Sequence, residues 1–124
     1  MMDYENLPTI HTHRGALYIY KIECLANRKK YIGRTASPKY RCQTHRAKLI
    51  NGKHSNEDMQ ADFNLYGEKE FTFEILQQCS RKREKNNDCI DGNIEKGYMA
   101  LFETYDRNHG YNYKDPAYRP RYGT

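Results

Sequence analysis

The stretch LYIYKIECLANRKKYIGRT, residues 17–35, decides the fold. It holds two runs rich in β-branched and aromatic residues, 17–23 and 30–35, joined by a short polar connection containing Asn27. Two such runs with so short a connection predict a β-hairpin. Side chains alternate along a strand, so Tyr18, Tyr20 and Ile22 share one face and Leu17 and Ile19 the other. In the second run Tyr31 and Gly33 point one way and Ile32 the other. On pairing, Tyr20 and Tyr31 come side by side on one surface, with Gly33 leaving room beside them. Two phenols next to a vacant patch have two readings. They can receive a ligand, or they can be an ordinary cross-strand aromatic pair of the kind that strands favour. The hairpin alone leaves both open.

Around the hairpin, the 124 residues fit one domain with a single modest core. Hydrophobic residues make up 37% and charged residues 30%, and twelve tyrosines with no tryptophan make tyrosine the main aromatic. No apolar run approaches the roughly 18 residues that a membrane span needs. The start, MMDYENLPTIHTHR, lacks the apolar segment of a signal peptide, so an intracellular, cytoplasmic protein is expected. Cys24, Cys42, Cys79 and Cys89 show no CxxC spacing, which argues against a cysteine zinc site and for reduced thiols. His11 and His13 are too few and too isolated to argue for a metal site. A formal charge of +5 and an isoelectric point near 9.0 are consistent with a polyanionic partner.

Residues 1–16 are polar and aperiodic and read as an arm. After the hairpin, Ser37-Pro38 is a helix start, an N-cap followed by proline at the first helical position, and Gly52 ends that helix. Arg41, His45 and Lys48 fall on one stripe of it, beside a more apolar stripe with Cys42 and Leu49. The polar stripe is either a solvated face or, given how near it starts to the tyrosines, part of their surroundings. Residues 55–58 look like a capping box, and Met59, Phe63 and Tyr66 recur at helical spacing until Gly67. Residues 71–76 alternate as a third strand, which would complete an independently stable sheet. The charged stretch 80–88 reads equally as helix or loop. From about Asp91 the pattern Ile94, Tyr98, Leu101, Phe102 marks a last helix. Glu95 stands at the edge of its apolar stripe, where a lone glutamate is usually solvated, and Gly97 suggests a close backbone approach. The tail, residues 114–124, contains Pro116, Pro120 and the cations Lys114, Arg119 and Arg121.

Tyr18-Ile19-Tyr20, followed by Tyr31-Ile32-Gly33, resembles the signature of the GIY-YIG nuclease family, with Tyr18 where the name-giving glycine would stand. Further features fall in the family's order. Arg41 matches the arginine of the first helix, and His45, one turn on, a histidine seen in many members. Gly52-Lys53-His54 is similar to a segment of homing-endonuclease-like members. Tyr66-Gly67 and the strand at 71–76 follow. Glu95, with Tyr98 after it, matches the glutamate of the last helix, and Tyr111-Asn112 the closing tyrosine-asparagine. The likeness runs from residue 17 to 112.

The resemblance implies a small α/β (α+β) domain at residues 17–113, a three-stranded antiparallel sheet flanked by helices, between an arm at 1–16 and a basic tail at 114–124. It implies a metal-dependent DNA endonuclease that hydrolyses phosphodiester bonds with one divalent ion, Mg2+ or another such as Mn2+. Its site residues would be Tyr20, Tyr31, Arg41, His45, Glu95 and Asn112. Glu95 would be the only protein ligand of the ion, which suits a hard cation that keeps waters and takes phosphate oxygens. Arg41 would clamp the scissile phosphate. Tyr31 would be the general base, although a phenol ordinarily titrates near ~10 and needs help to ionise. Tyr20 would hold the water or support Tyr31, His45 would assist proton transfer or hold phosphate, and Asn112 would fix the site. Lys48, Lys53, His54, Arg119 and Arg121 are the candidate DNA contacts. The segment at 52–54 leans towards a phage or mobile-element nuclease, located in the host cytoplasm if phage-encoded. The expected chain is a monomer or weak homodimer of low sequence specificity, with a second subunit as one route to double-strand cleavage. The alternatives are an inactive, nuclease-derived DNA-binding module and a repair-type incision nuclease.

Overall fold

A computed structural model of the chain describes residues 2–5, 7, 16–80 and 93–113. The hairpin forms where the alternation places it. Strand β1 (Ala16–Cys24) pairs antiparallel with β2 (Lys30–Thr35). The connection turns through Arg28, at φ 64°. Helix α1 (Pro38–Ile50) and helix α2 (Glu57–Tyr66) follow, then a short 3-10 turn (Glu68–Glu70), strand β3 (Phe71–Ser80) and helix α3 (Asn93–Phe102). The sheet order is β2-β1-β3, all antiparallel, so β1 is the central strand. That position explains its composition: a strand flanked on both edges and covered on both faces reads as nearly continuous apolar sequence.

Each face of the sheet has its own core. Tyr20, Ile22, Phe71 and Phe73 pack with Cys42 and Leu49 of α1 and with Met59 and Phe63 of α2. On the opposite face Ile19 and Ile32 pack with Met99 of α3, and Leu17, Leu76, Ile94, Tyr98 and Phe102 border them. Fully burying one such side chain contributes about 1.5–3 kcal/mol. Strand β3 runs to Ser80, beyond the expected end at 76, and its pairing with β1 shifts register between Ile19 and Tyr20. Tyr18, where the resemblance would place a glycine, is buried and keeps its place in both ladders, opposite Thr35 and Gln78.

Several local expectations change in three dimensions. Ser37 precedes α1 but its side chain makes no capping bond, and its own N–H donates to Thr35 Oγ1 at 3.0 Å. Asn56, not Ser55, caps α2, accepting from the Met59 N–H at 3.1 Å. Both helices end on glycines with positive φ, Gly52 at 72° and Gly67 at 87°, as their positions require. Tyr66, which recurs at helical spacing with the buried Met59 and Phe63, is exposed. Leu101 is 69% exposed, so the buried stripe of α3 runs through Glu95 and Met99 instead. Among the described residues, nothing outside its own helix approaches Gly97 closely. The segment read as an arm is packed down at its start: Met2 lies in the first core, with Tyr4 and Leu7 against it. Cys24 and Cys42 are buried free thiols, whereas Cys79 is disulfide-bonded, a departure from four reduced cysteines. Residues 81–88, His11, His13, Arg119 and Arg121 lie outside the described residues. No helix among the described residues is long and apolar enough to cross a membrane.

Candidate active site

The site grows out of the hairpin register. Tyr20 stands directly opposite Gly33, and Ile22 opposite Tyr31. A Cβ on Gly33 would overlap the Tyr20 phenol, so glycine here is what lets the ring lie across β2. Tyr20 then stacks on Phe73 at 4.7 Å between ring centroids and lies 6.3 Å from Tyr31. Tyr20 is a core residue, whereas Tyr31 lines a cavity.

That cavity measures about 310 Å³ and is lined by Tyr31, Arg41, His45, Lys48, His54 and Asn112, among others. Helix α1 supplies its cationic wall. Arg41 and Lys48 are exposed, while His45 turns inward between Cys42 and Leu49 on the buried stripe. The expected polar stripe is therefore split, with two exposed cations and one buried imidazole. Lys53 is exposed beyond the end of α1.

Asn112 closes the cavity from the other side. Its amide behaves like a strand residue on the free edge of β2: Oδ1 accepts from the Ile32 N–H at 2.9 Å and Nδ2 donates to the Ile32 carbonyl at 3.1 Å. The Lys30–Gly110 parallel bridge continues that contact. The edge is thus covered, and Tyr31 is held between two tied neighbours. Tyr111 also lines the cavity, but its hydroxyl donates to Asp62 at 2.7 Å. Burial and that carboxylate push its phenol well above the ordinary range.

Behind Tyr31 runs a buried line of polar contacts. Tyr20 Oη lies 3.0 Å from His45 Nε2, and His45 Nδ1 lies 2.8 Å from His54 Nε2. The Asn56 N–H donates to His54 Nδ1 at 3.0 Å. Both imidazoles are only 9% exposed. His54 was expected at DNA phosphates, yet both of its ring nitrogens are engaged inside the protein. The sequence carried a faint signal for this: Gly52 turns the chain back, so His54 returns along α1 beside the histidine one turn before Leu49. Gln60, which reading by residue type passes over, holds the return in place. It accepts from the His54 N–H at 3.0 Å and donates to the Leu49 carbonyl at 2.9 Å.

Burial pushes the His45 imidazole from its ordinary 6.5 down to about 3, assisted by His54, Arg41 and Lys48. Burial likewise pushes His54 down to about 4, assisted by Lys48. Both rings are neutral in the fold over the pH range where the unfolded chain takes up protons. Stability should therefore be independent of these groups above 6.5 and should fall as the pH drops from 6.5 towards about 4. Each histidine contributes up to about 1.4 kcal/mol per pH unit in that window. Thermal unfolding across the window checks this. His54→Gln should flatten the profile; an equally steep profile would show that other groups carry it.

Glu95 is not among the residues lining that cavity. It is 2% exposed, in line with Met99 on the sheet-facing side of α3, and its Oε1 lies 4.0 Å from Arg34 Nε. Arg34 follows Gly33 and alternation turns it towards α3, a placement readable from the strand period though not singled out from sequence. Among the described residues no cluster of three or more His, Cys, Asp and Glu side chains could hold a metal ion. A single carboxylate still fits a hard cation chemically, because water and phosphate oxygens can fill the remaining positions.

A family model described as the GIY-YIG catalytic domain matches residues 16–111. Among solved structures, the chain is similar to a point mutant of the catalytic domain of intron endonuclease I-TevI, with 26% identity and a TM-score of 0.65 over 81% of this chain and 95% of that one. It is similar to the catalytic domain of homing endonuclease I-TevI, with 25% identity and a TM-score of 0.63 over 77% of this chain and 95% of that one. No curated protein matches the chain in sequence.

Proposed function

The chain belongs to the GIY-YIG catalytic domain family, and from that premise we propose that it is a DNA endonuclease of the homing or phage type that hydrolyses phosphodiester bonds with a divalent ion. The observation that carries the reading is the cavity that gathers Tyr31, Arg41, His45, Lys48 and Asn112 around one opening. Phosphodiester hydrolysis needs an activated water, charge neutralisation at the phosphate and support for the leaving oxygen. Arg41, exposed and permanently charged, clamps the scissile phosphate in a bidentate fork. Lys48 and Lys53 extend the positive surface along the DNA backbone. Tyr31 reaches the cavity and is the general base; Tyr20, buried behind it, is the supporting phenol. His45 braces Tyr20, and Asn112 fixes the strand that carries Tyr31. Glu95 would hold a magnesium-class ion, which when bound supplies Lewis-acid charge to the phosphate.

One small site cuts one strand at a time. Contacts made mainly to phosphates position a protein without reading sequence, so the isolated chain should cut with low specificity. With supercoiled plasmid and Mg2+, nicked circles should accumulate before linear DNA, and omission of the ion should stop the reaction. Affinity for duplex should fall with salt at a slope of about 0.9 for each phosphate neutralised. Plasmid left intact by folded protein with Mg2+ or Mn2+ would reject the nuclease reading in favour of a binding module. Linear product without a nicked intermediate would point to a dimer that cuts both strands.

A further inference from the structure

The buried polar line has a direction that its geometry dictates. A backbone N–H can only donate, so His54 Nδ1, 3.0 Å from the Asn56 nitrogen, is an acceptor and carries no proton. A neutral imidazole keeps one proton, which then sits on Nε2. His54 Nε2 therefore donates across 2.8 Å to His45 Nδ1. His45 in turn keeps its proton on Nε2 and donates across 3.0 Å to Tyr20 Oη. Protonating either ring would set two donors against each other somewhere along the line. We propose that His54, held by the Asn56 backbone, is a positioning residue that fixes His45 as a hydrogen-bond donor to the Tyr20 hydroxyl.

The supports around the line serve the same end. Asn56 is anchored three ways: its Oδ1 accepts from Met59, its Nδ2 donates to the Tyr111 carbonyl at 2.7 Å, and its N–H reaches His54. Gln60 ties the His54 backbone to both α1 and α2. The two imidazoles lie nearly edge to edge, with centroids 5.0 Å apart and planes 21° apart, as an in-plane N–H···N bond requires, and a flip of either ring would break that bond. Among the described residues, the charged and titratable neighbours of His45 besides His54 include Arg41 and Lys48 on α1, Tyr20 on β1 and Tyr31 on β2, and the two cations oppose a positive charge on His45. Burial keeps both rings neutral, as the line requires.

The chemical consequence concerns Tyr20. His45 Nε2 already holds a proton, so His45 does not take one from Tyr20. It instead stabilises negative charge on the phenol oxygen, and the Tyr20 hydrogen is directed away from His45. A phenol that accepts such a bond ionises more readily, or donates its own proton more strongly to a neighbouring oxygen. This role deepens the nuclease reading and rests on it for its catalytic meaning, but the tautomer itself does not depend on cleavage.

The test is nuclear magnetic resonance of the full chain with isotope-labelled histidine, without DNA. A through-hydrogen-bond coupling from the His54 Nε2–H to an unprotonated His45 Nδ1 is expected, with both rings neutral at pH 6. A proton on His45 Nδ1, or either ring titrating near 6.5, would overturn the proposal. In the cleavage assay His54→Leu should lose roughly tenfold, the scale of one hydrogen bond. His54→Gln, whose amide can still donate, should recover most of that loss. A folded His54→Leu protein cutting at the wild-type rate would overturn the positioning role and leave the nuclease reading intact. If the leucine variant does not fold, the wild-type coupling decides. A wild-type chain that shows the coupling but cuts no DNA would reject the nuclease reading and leave the tautomer assignment standing.

Discussion

Glu95→Gln is expected to lower plasmid nicking by on the order of 10³-fold, the scale of removing a main electrostatic contributor at a phosphoryl centre. The substitution keeps the shape of a side chain that is 2% exposed and aligned with Met99 against the sheet. It removes only the charge, so the melting temperature should stay within a few degrees of wild type. Glu95→Ala should be equally inactive but also less stable, because it vacates buried volume beside Arg34. The glutamine variant therefore isolates the chemistry and the alanine variant does not. Relaxation of α3 resonances by Mn2+ provides a readout independent of cleavage and should vanish in Glu95→Gln. Wild-type cutting by that variant, or unchanged Mn2+ relaxation, would remove Glu95 from the metal site. The Arg34 contact also predicts competition, since a guanidinium 4.0 Å from the carboxylate opposes the approach of a cation.

The second large effect is expected at Arg41. Its side chain is exposed at the cavity, so replacing it should change stability by no more than about 0.5 kcal/mol. If Arg41 is the proposed phosphate clamp, cleavage should nevertheless drop by about 10²- to 10³-fold in Arg41→Ala. Arg41→Lys should not recover the rate. A lysine offers a point charge, whereas a planar fork fixes two phosphate oxygens at once. Single-turnover nicking of a plasmid, with thermal melts alongside, makes the measurement. A lysine variant at the wild-type rate would show that charge alone suffices, and a wild-type rate for alanine would place the clamp elsewhere.

Much of the architecture is legible in the sequence. Strand alternation separates the Tyr20 and Ile19 faces, and two cores form on those faces. Proline at the start of α1 and glycines after α1 and α2 mark boundaries that local backbone preferences alone enforce. The family is shown by the model that matches residues 16–111, a span that contains the ordered series from Tyr20 to Tyr111. Where periodicity misled, the reason is specific. In α3 the stripe through Leu101 and the stripe through Met99 are both plausible on sequence, and only the position of the sheet chooses Met99 and buries Glu95 with it.

What the sequence determined by itself is therefore the set of elements, their faces and the residue types available for chemistry. Those are consequences of short-range rules, the periods of strand and helix and the backbone preferences of glycine and proline. Tertiary structure alone decided which polar groups meet. His45 and Tyr20 come together across the sheet-helix interface, Asn112 joins the edge of β2 from far along the chain, and Arg34 faces Glu95. The direction of the histidine line hangs on one backbone N–H at Asn56. Hydrogen bonds select partners within a few tenths of an ångström and by angle, and no residue pattern encodes a distance that depends on how whole elements pack.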